Sequence, residues 1–196
     1  MFREALRASP DAVFIARRLF VTNSIDSLLS ALGVNVGAFE AHVDPMIMAM
    51  AVLGGSLSLS VVSGLLGVFL SERAERIREL RELERKLGAD LSRSLYARSA
   101  QLIPLYVALW SSAGMLVFPL ASITPYVAAK MKLLSIHQAF ALSIAIILAS
   151  LTMIGAYLGR ITGERLWLSS LRVLALGVIA LVIVLVFKTV LGIAFR

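Results

Sequence analysis

The chain has no cysteine and two histidines among its 196 residues. The first absence excludes a disulfide scaffold, thiol chemistry and Cys-ligated metal, and the second leaves few options for a His-based site. No Gly-rich phosphate loop, no HExxH pair and no Ser/His/Asp set in a supporting context occurs, so enzyme activity is not expected. No linker rich in Pro, Gly or Ser divides the chain and no low-complexity tract appears, which favours a single membrane domain over residues 1–196. Charged residues are also scarce, at 16%, whereas 59% of the residues are hydrophobic and the mean hydropathy is +0.90. Disorder needs the opposite balance, and one globular core cannot bury this much apolar surface, so the chain reads as an all-α integral membrane protein.

Stretches free of Asp, Glu, Lys and Arg, interrupted once by Asp26, place five spans at about 19–39, 45–71, 100–122, 134–159 and 171–195. Each is long enough to cross roughly 30 Å of hydrocarbon at 1.5 Å per residue. Helices are expected because backbone groups in lipid must pair within their own segment and no barrel-like alternation is present. Residues 1–18 carry Arg3, Glu4, Arg7, Asp11, Arg17 and Arg18 with no apolar run before a small-residue site, so a cleaved signal is not expected.

The net charge of +7 raises the question of an anionic partner, which the position of each charge answers. Basic residues gather before the first span, between the second and third (Arg73, Arg76, Arg78, Arg81, Arg85, Lys86, Arg93, Arg98) and between the fourth and fifth (Arg160, Arg165, Arg172). The other side has few: Lys130, Lys132, Lys188 and Arg196. By the positive-inside rule the N-terminus is inside and the C-terminus outside, and the excess marks topology rather than nucleic-acid binding. The basic segment at 72–98 also carries Glu72, Glu75, Glu79, Glu82, Glu84 and Asp90, and is expected to extend the second span as a cytoplasmic helix. Five spans do not divide into two equal halves, so a pathway would form between copies rather than between repeats.

Asp26 is the most informative residue, because an ionised carboxylate inside a span costs on the order of 2–3 kcal/mol or more and must face protein or water. Asn23, Asp26, Ser30, Gly33 and Gly37 share one small, polar helical stripe, with Asp26 and Asn23 as hard oxygen ligands or a proton site. Pairing of Asp26 with Arg17 or Arg18 is the plain structural alternative. In the second span Ser56, Ser60, Ser63, Gly64, Gly67 and Ser71 recur at i, i+4 and i+7, a surface for close helix packing or a path through Ser60 and Ser63. Glu72, Glu75, Glu79 and Glu82 share one side of the excursion and suit divalent cations, while Glu72 to Arg76 and Glu82 to Lys86 are also i,i+4 pairs of an ordinary solvated helix. Glu40, His42 and Asp44 form a weaker candidate metal set, Asp44 being equally an N-cap before Pro45. Met46 and Met50 are soft donors but ordinary packing residues, His137 fits an interfacial position, and Lys188 is placed to snorkel or to act as a functional cation.

Several segments, in order, resemble the vacuolar iron transporter family: NSIDSLLSALGVNVGAF at 23–39, LGVFLSERAER at 66–76, AGMLVFPL at 113–120 and the stretch from 154 to 192. The chain is most similar to the short archaeal branch. The resemblance implies a homodimer that moves Fe²⁺ or Mn²⁺ out of the cytosol in exchange for protons; with no organelle signal and a short form, the cell membrane is the expected location, and no prosthetic group is expected. The resemblance places the path at the dimer interface between first and second spans, with Asp26 as the intramembrane carboxylate and Glu72, Glu75 and Glu79 on a metal-collecting helix. Gly64 and Val68 stand where the family has Met and Glu, Ser27 stands where Gly follows the Asp, and the excursion is shorter than the family's. A dimeric membrane scaffold or metal-binding protein without transport, and a small solute channel, are the competing readings.

Overall fold

A computed structural model describes residues 11–92 and 94–194, the side chains of 188 and 191–194 excepted. The charges at Arg3, Glu4, Arg7, Arg93 and Arg196 and the side chain of Lys188 lie outside the described residues. Among those described there is no strand. The helices are α1 (Asp11–Glu40), α2 (Pro45–Ser58), a π-helical segment (Leu59–Gly67), α3 (Val68–Leu87), α4 (Leu95–Lys130), α5 (Ile136–Thr162) and α6 (Leu166–Ala194). The run Pro45–Leu87 is continuous, and among the described residues five helices are long and apolar enough to cross a membrane. The expected extension of the second span is therefore present, and α1 and α4 run past their expected spans at both ends. Backbone pairing continues through amphipathic flanks, whereas absence of charge marks only the segment that tolerates hydrocarbon.

Helix ends carry recognisable stops. Gly88 closes α3 in the left-handed region at φ 63° and donates its N–H to the Glu84 carbonyl at 2.9 Å. The α5 start is a capping box in which Ser135 accepts from the Gln138 N–H and Gln138 Oε1 accepts from the Ser135 N–H. Asp44 does cap α2: its Oδ1 accepts from the Met46 N–H at 2.8 Å, with Pro45 next in line.

Two compact units emerge, to which α1, α4 and the Pro45–Leu87 helix each contribute in part. One takes in α1 up to Ser24 together with Ser58–Met115. Its core holds Ala12, Ala16, Ile103 and Val107, flanked by Leu19, Val68 and Tyr106. A Cβ at Gly114 would lie 2.8 Å from the Phe20 carbonyl oxygen, so glycine lets the backbones of α1 and α4 meet here. The other unit comprises Ile25–Leu57 and the chain from Leu116 onward. Met48, Ala49, Tyr126 and Ala139 form its core, with Phe39 stacked on Phe140 at 4.0 Å between ring centres. There α5 packs on α6 through Gly155 and Gly159, where added Cβ atoms would come within 2.6 Å of Ser170 Cα and 2.9 Å of Ser169 Cβ. On α6 Val182, Ile183, Val186 and Phe187 remain exposed, as suits a helix whose outer face meets lipid.

The π-helical segment overturns one sequence expectation. Ser56, Ser60 and Gly64 are buried, but Ser63, Gly67 and Ser71 are exposed, so the six do not share a face. A π turn bonds i to i+5, which keeps residues four apart aligned while rotating those seven apart out of register.

Candidate functional site

Along the second half of α1 burial has a clear sidedness. Ser27, Leu28, Ala31, Leu32, Asn35 and Val36 are buried, whereas Asp26, Ser30 and Gly37 are exposed. Nothing lies within 4 Å of a Cβ built at Gly37. Asp26 sits about midway along a helix of 30 residues and has no hydrogen-bond or ion-pair partner among the described residues. An uncompensated carboxylate on a membrane-length helix is not a position that lipid tolerates, so another copy, water or an ion must meet it.

Apart from Ser30, which is exposed beside Asp26, the polar α1 candidates named with Asp26 are engaged. Asn23 is half-buried and its amide donates to Ser111 Oγ at 2.5 Å, so it braces α1 against α4 rather than standing free beside Asp26. Arg17 lies over the Phe14 ring, 5.2 Å from its centre. Ser60 is buried and donates to the Ser112 carbonyl at 2.9 Å, while Ser63 is exposed. At Gly64 an added Cβ would come within 2.8 Å of Met115 Sδ and 3.1 Å of Ser112 Cα. No larger side chain enters position 64 unless α4 yields, a steric reason for glycine there.

The Glu row of α3 is organised by a residue that the sequence presented as a topological charge and as an i,i+4 partner of Glu72. Arg76 is 5% exposed. Its Nη2 pairs with Asp11 Oδ2 at 2.6 Å and its Nη1 reaches Glu79 Oε2 at 3.4 Å, while the Tyr96 hydroxyl donates to the same Glu79 oxygen at 3.1 Å. Glu75 pairs with Arg78 and Glu82 with Lys86, the latter at 2.9 Å, and Glu72 is half-buried. Glu75, Glu79 and Glu82 thus face cations that the protein itself supplies, whereas the expected Glu72–Arg76 ion pair does not form among the described residues, Arg76 being turned to Asp11 and Glu79. Among the described residues no group of three His, Asp or Glu is arranged to hold a metal ion.

At the α1–α2 turn a cleft of about 320 Å³ is lined by Glu40, His42, Asp44, Met48 and His137 among others. Its groups are turned to local bonds: His42 Nδ1 contacts the Glu40 carbonyl at 2.7 Å, His137 meets the edge of Phe39, and Asp44 pairs with Lys130 at 3.1 Å. The Met46 N–H and the Lys130 ammonium hold the Asp44 carboxyl below its ordinary value. Met46 and Met50 are both exposed.

The sequence profile of the VIT family matches residues 86–187, more than half of the chain. The chain belongs to the VIT family. An uncharacterized protein of the archaeon Methanocaldococcus jannaschii is 29% identical to it over 162 residues, covering 81% of each chain. No solved structure matches the chain. Membership in the VIT family, with five membrane-length helices, places the protein among multi-pass membrane proteins of a metal-ion transporter family. The matched residues span the end of α3 through most of α6, so Asp26 and the Glu row lie ahead of the VIT match and rest on the geometry given above.

Proposed function

We propose that this VIT family member exports a divalent cation, Fe²⁺ or Mn²⁺, from the cytosol in exchange for protons, as a homodimer in the cell membrane with the N-terminus inside. The single observation that carries the reading is Asp26: exposed, unpartnered among the described residues, and midway along a membrane-length helix. Two copies related by a two-fold axis along the exposed α1 stripe would bring two such carboxylates to one path. Charge balance then supplies the exchange. Two ionised carboxylates neutralise one divalent cation in a low-dielectric setting, and protons replace the metal when it leaves. Hard carboxylate oxygens with Ser30 nearby suit Mn²⁺ and Fe²⁺ better than soft ions. Glu72, Glu75, Glu79 and Glu82 would raise the local cation concentration at the inner mouth.

Proteoliposomes carrying a proton gradient and a Mn²⁺- or Fe²⁺-sensitive dye test this reading. Gradient-driven uptake that saturates with metal and is lost in Asp26→Asn is the expected result; undiminished flux in that variant removes Asp26 from the mechanism. A second reading, a membrane scaffold or metal-binding protein without transport, is favoured by the lack of a converging ligand triad among the described residues and by Gly64 packed against Met115. It requires no gradient-driven flux in tightly sealed liposomes, with any metal bound on α3. Flux that neither saturates nor responds to the proton gradient would instead indicate a channel.

A further inference from the structure

Opposite Asp26, α1 carries a buried polar side chain to which neither topology nor metal binding assigns a role. Asn35 is fully buried, as are Tyr126, Ser143 and Ser122. The Tyr126 hydroxyl donates to Asn35 Oδ1 at 2.5 Å, and Asn35 Nδ2 donates to the Ala31 carbonyl at 2.8 Å. Ser143 has one proton; its shorter bond, 2.7 Å, goes to the Ser122 carbonyl, with Asn35 Oδ1 at 3.2 Å as the secondary acceptor. One amide thus joins α1 to α4 and α5, and the cluster leaves no buried side-chain polar atom without a partner.

Angle makes this cluster relevant to Asp26. Nine residues at about 100° each bring Asn35 to about 180° from Asp26 around the helix axis. Around Asn35 on the buried side of α1 lie Leu28, Ala31, Leu32 and Val36, whose side chains are apolar. Apolar contacts in lipid are non-directional, whereas a hydrogen bond to a planar amide fixes both distance and angle. Asp26 has no partner of its own among the described residues, so its direction is set from elsewhere.

We propose that Asn35 is a positioning residue whose amide, keyed into Tyr126 and Ser143, fixes the rotation of α1 and thereby the direction in which Asp26 projects. Its consequence for transport rests on the function proposed above; the rotational role does not.

The absence of native cysteine permits a clean test on the full chain in liposomes. Nitroxide labels placed singly at residues 25 to 33 report collision with a water-soluble nickel chelate and with oxygen. The native background should give a periodic wave with maxima at 26 and 30 and minima at 27, 28, 31 and 32. Asn35→Leu should move the maxima off 26 and 30 or reduce the amplitude by half or more, and Tyr126→Phe should shift it less and in the same direction. Thermal stability is recorded alongside. A variant that melts earlier while its wave stays unchanged overturns the proposal, because Asn35 would then be ordinary packing. Tyr126→Phe, which keeps the ring and removes one hydrogen bond, decides the matter if Asn35→Leu does not fold. Failure of metal flux in the unmodified protein would refute the transport reading and leave this test standing.

Discussion

Replacing Asp26 by leucine should separate stability from function, and the structure indicates the direction of both. The carboxylate makes no hydrogen bond or ion pair among the described residues, so its removal forfeits no bond. What remains is the cost of holding a charge at mid-span. On insertion scales aspartate at a helix centre is unfavourable by about 2.5–3.5 kcal/mol and leucine favourable by about 0.3–0.6, a difference of about 3–4 kcal/mol. Water or a second copy against the exposed stripe lowers that cost, so a gain of about 1–3 kcal/mol is expected for Asp26→Leu, with Asp26→Asn between it and the native chain. The assay is thermal unfolding in detergent and in nanodiscs, followed by circular dichroism, beside the liposome flux measurement. Higher thermal stability together with lost flux is the expected pair. A clear drop in stability would refute the reasoning, since it would mean that Asp26 is a structural bonding group.

Three further outcomes follow from the packing and the ion pairs. Gly155→Ala should destabilise the α5–α6 contact by about 1–2 kcal/mol net, an overpacking cost offset in part by alanine's better helix propensity, because its Cβ would press on Ser170 Cα at 2.6 Å and the Ser169 carbonyl oxygen at 2.9 Å. Gly54→Ala has open space within 4 Å and should be neutral or stabilising; equal effects at the two sites in thermal unfolding would refute the close approach. Arg76→Ala leaves Asp11 and Glu79 without their cation, and since both partners are partly exposed the loss should be about 1–3 kcal/mol, with faster hydrogen exchange at the start of α1. Asp44 has a folded pKa below its ordinary 3.8, so its contribution is complete above that value and is lost as pH falls below it. Hydrogen exchange over residues 44–48 should accelerate across that acid range, and Asp44→Asn should abolish the dependence.

The asymmetry between what was legible and what was not has a physical origin in each case. Five spans and the Asp44 cap were readable because both follow from local chemistry: hydrocarbon admits only uncharged helical runs, and a carboxylate before proline satisfies a free helix N–H. Asp26 stood out because charge inside a span is rare. The six-residue small face of the second span failed because its reading assumed an unbroken α-helical lattice, and nothing in LSVVSGLLG announces a π turn. Arg76 and Asn35 were visible as letters, but their roles depend on partners 65 and 91 positions away in the chain. A buried arginine facing Asp11 and an amide facing Tyr126 are created by helix packing, which periodicity does not specify.

By itself, then, the sequence determined that this is a helical membrane protein with five spans, a continuous polar extension of the second and a lone carboxylate in the first, since solvent and backbone hydrogen bonding dictate those features residue by residue. Only the tertiary structure decided which polar residues are spent on holding helices together and which remain available. Asn23, Ser60, Glu79 and Asn35 are bound to neighbours, and Asp26 is left free of any partner among the described residues, because that division depends on which faces meet after the helices have packed.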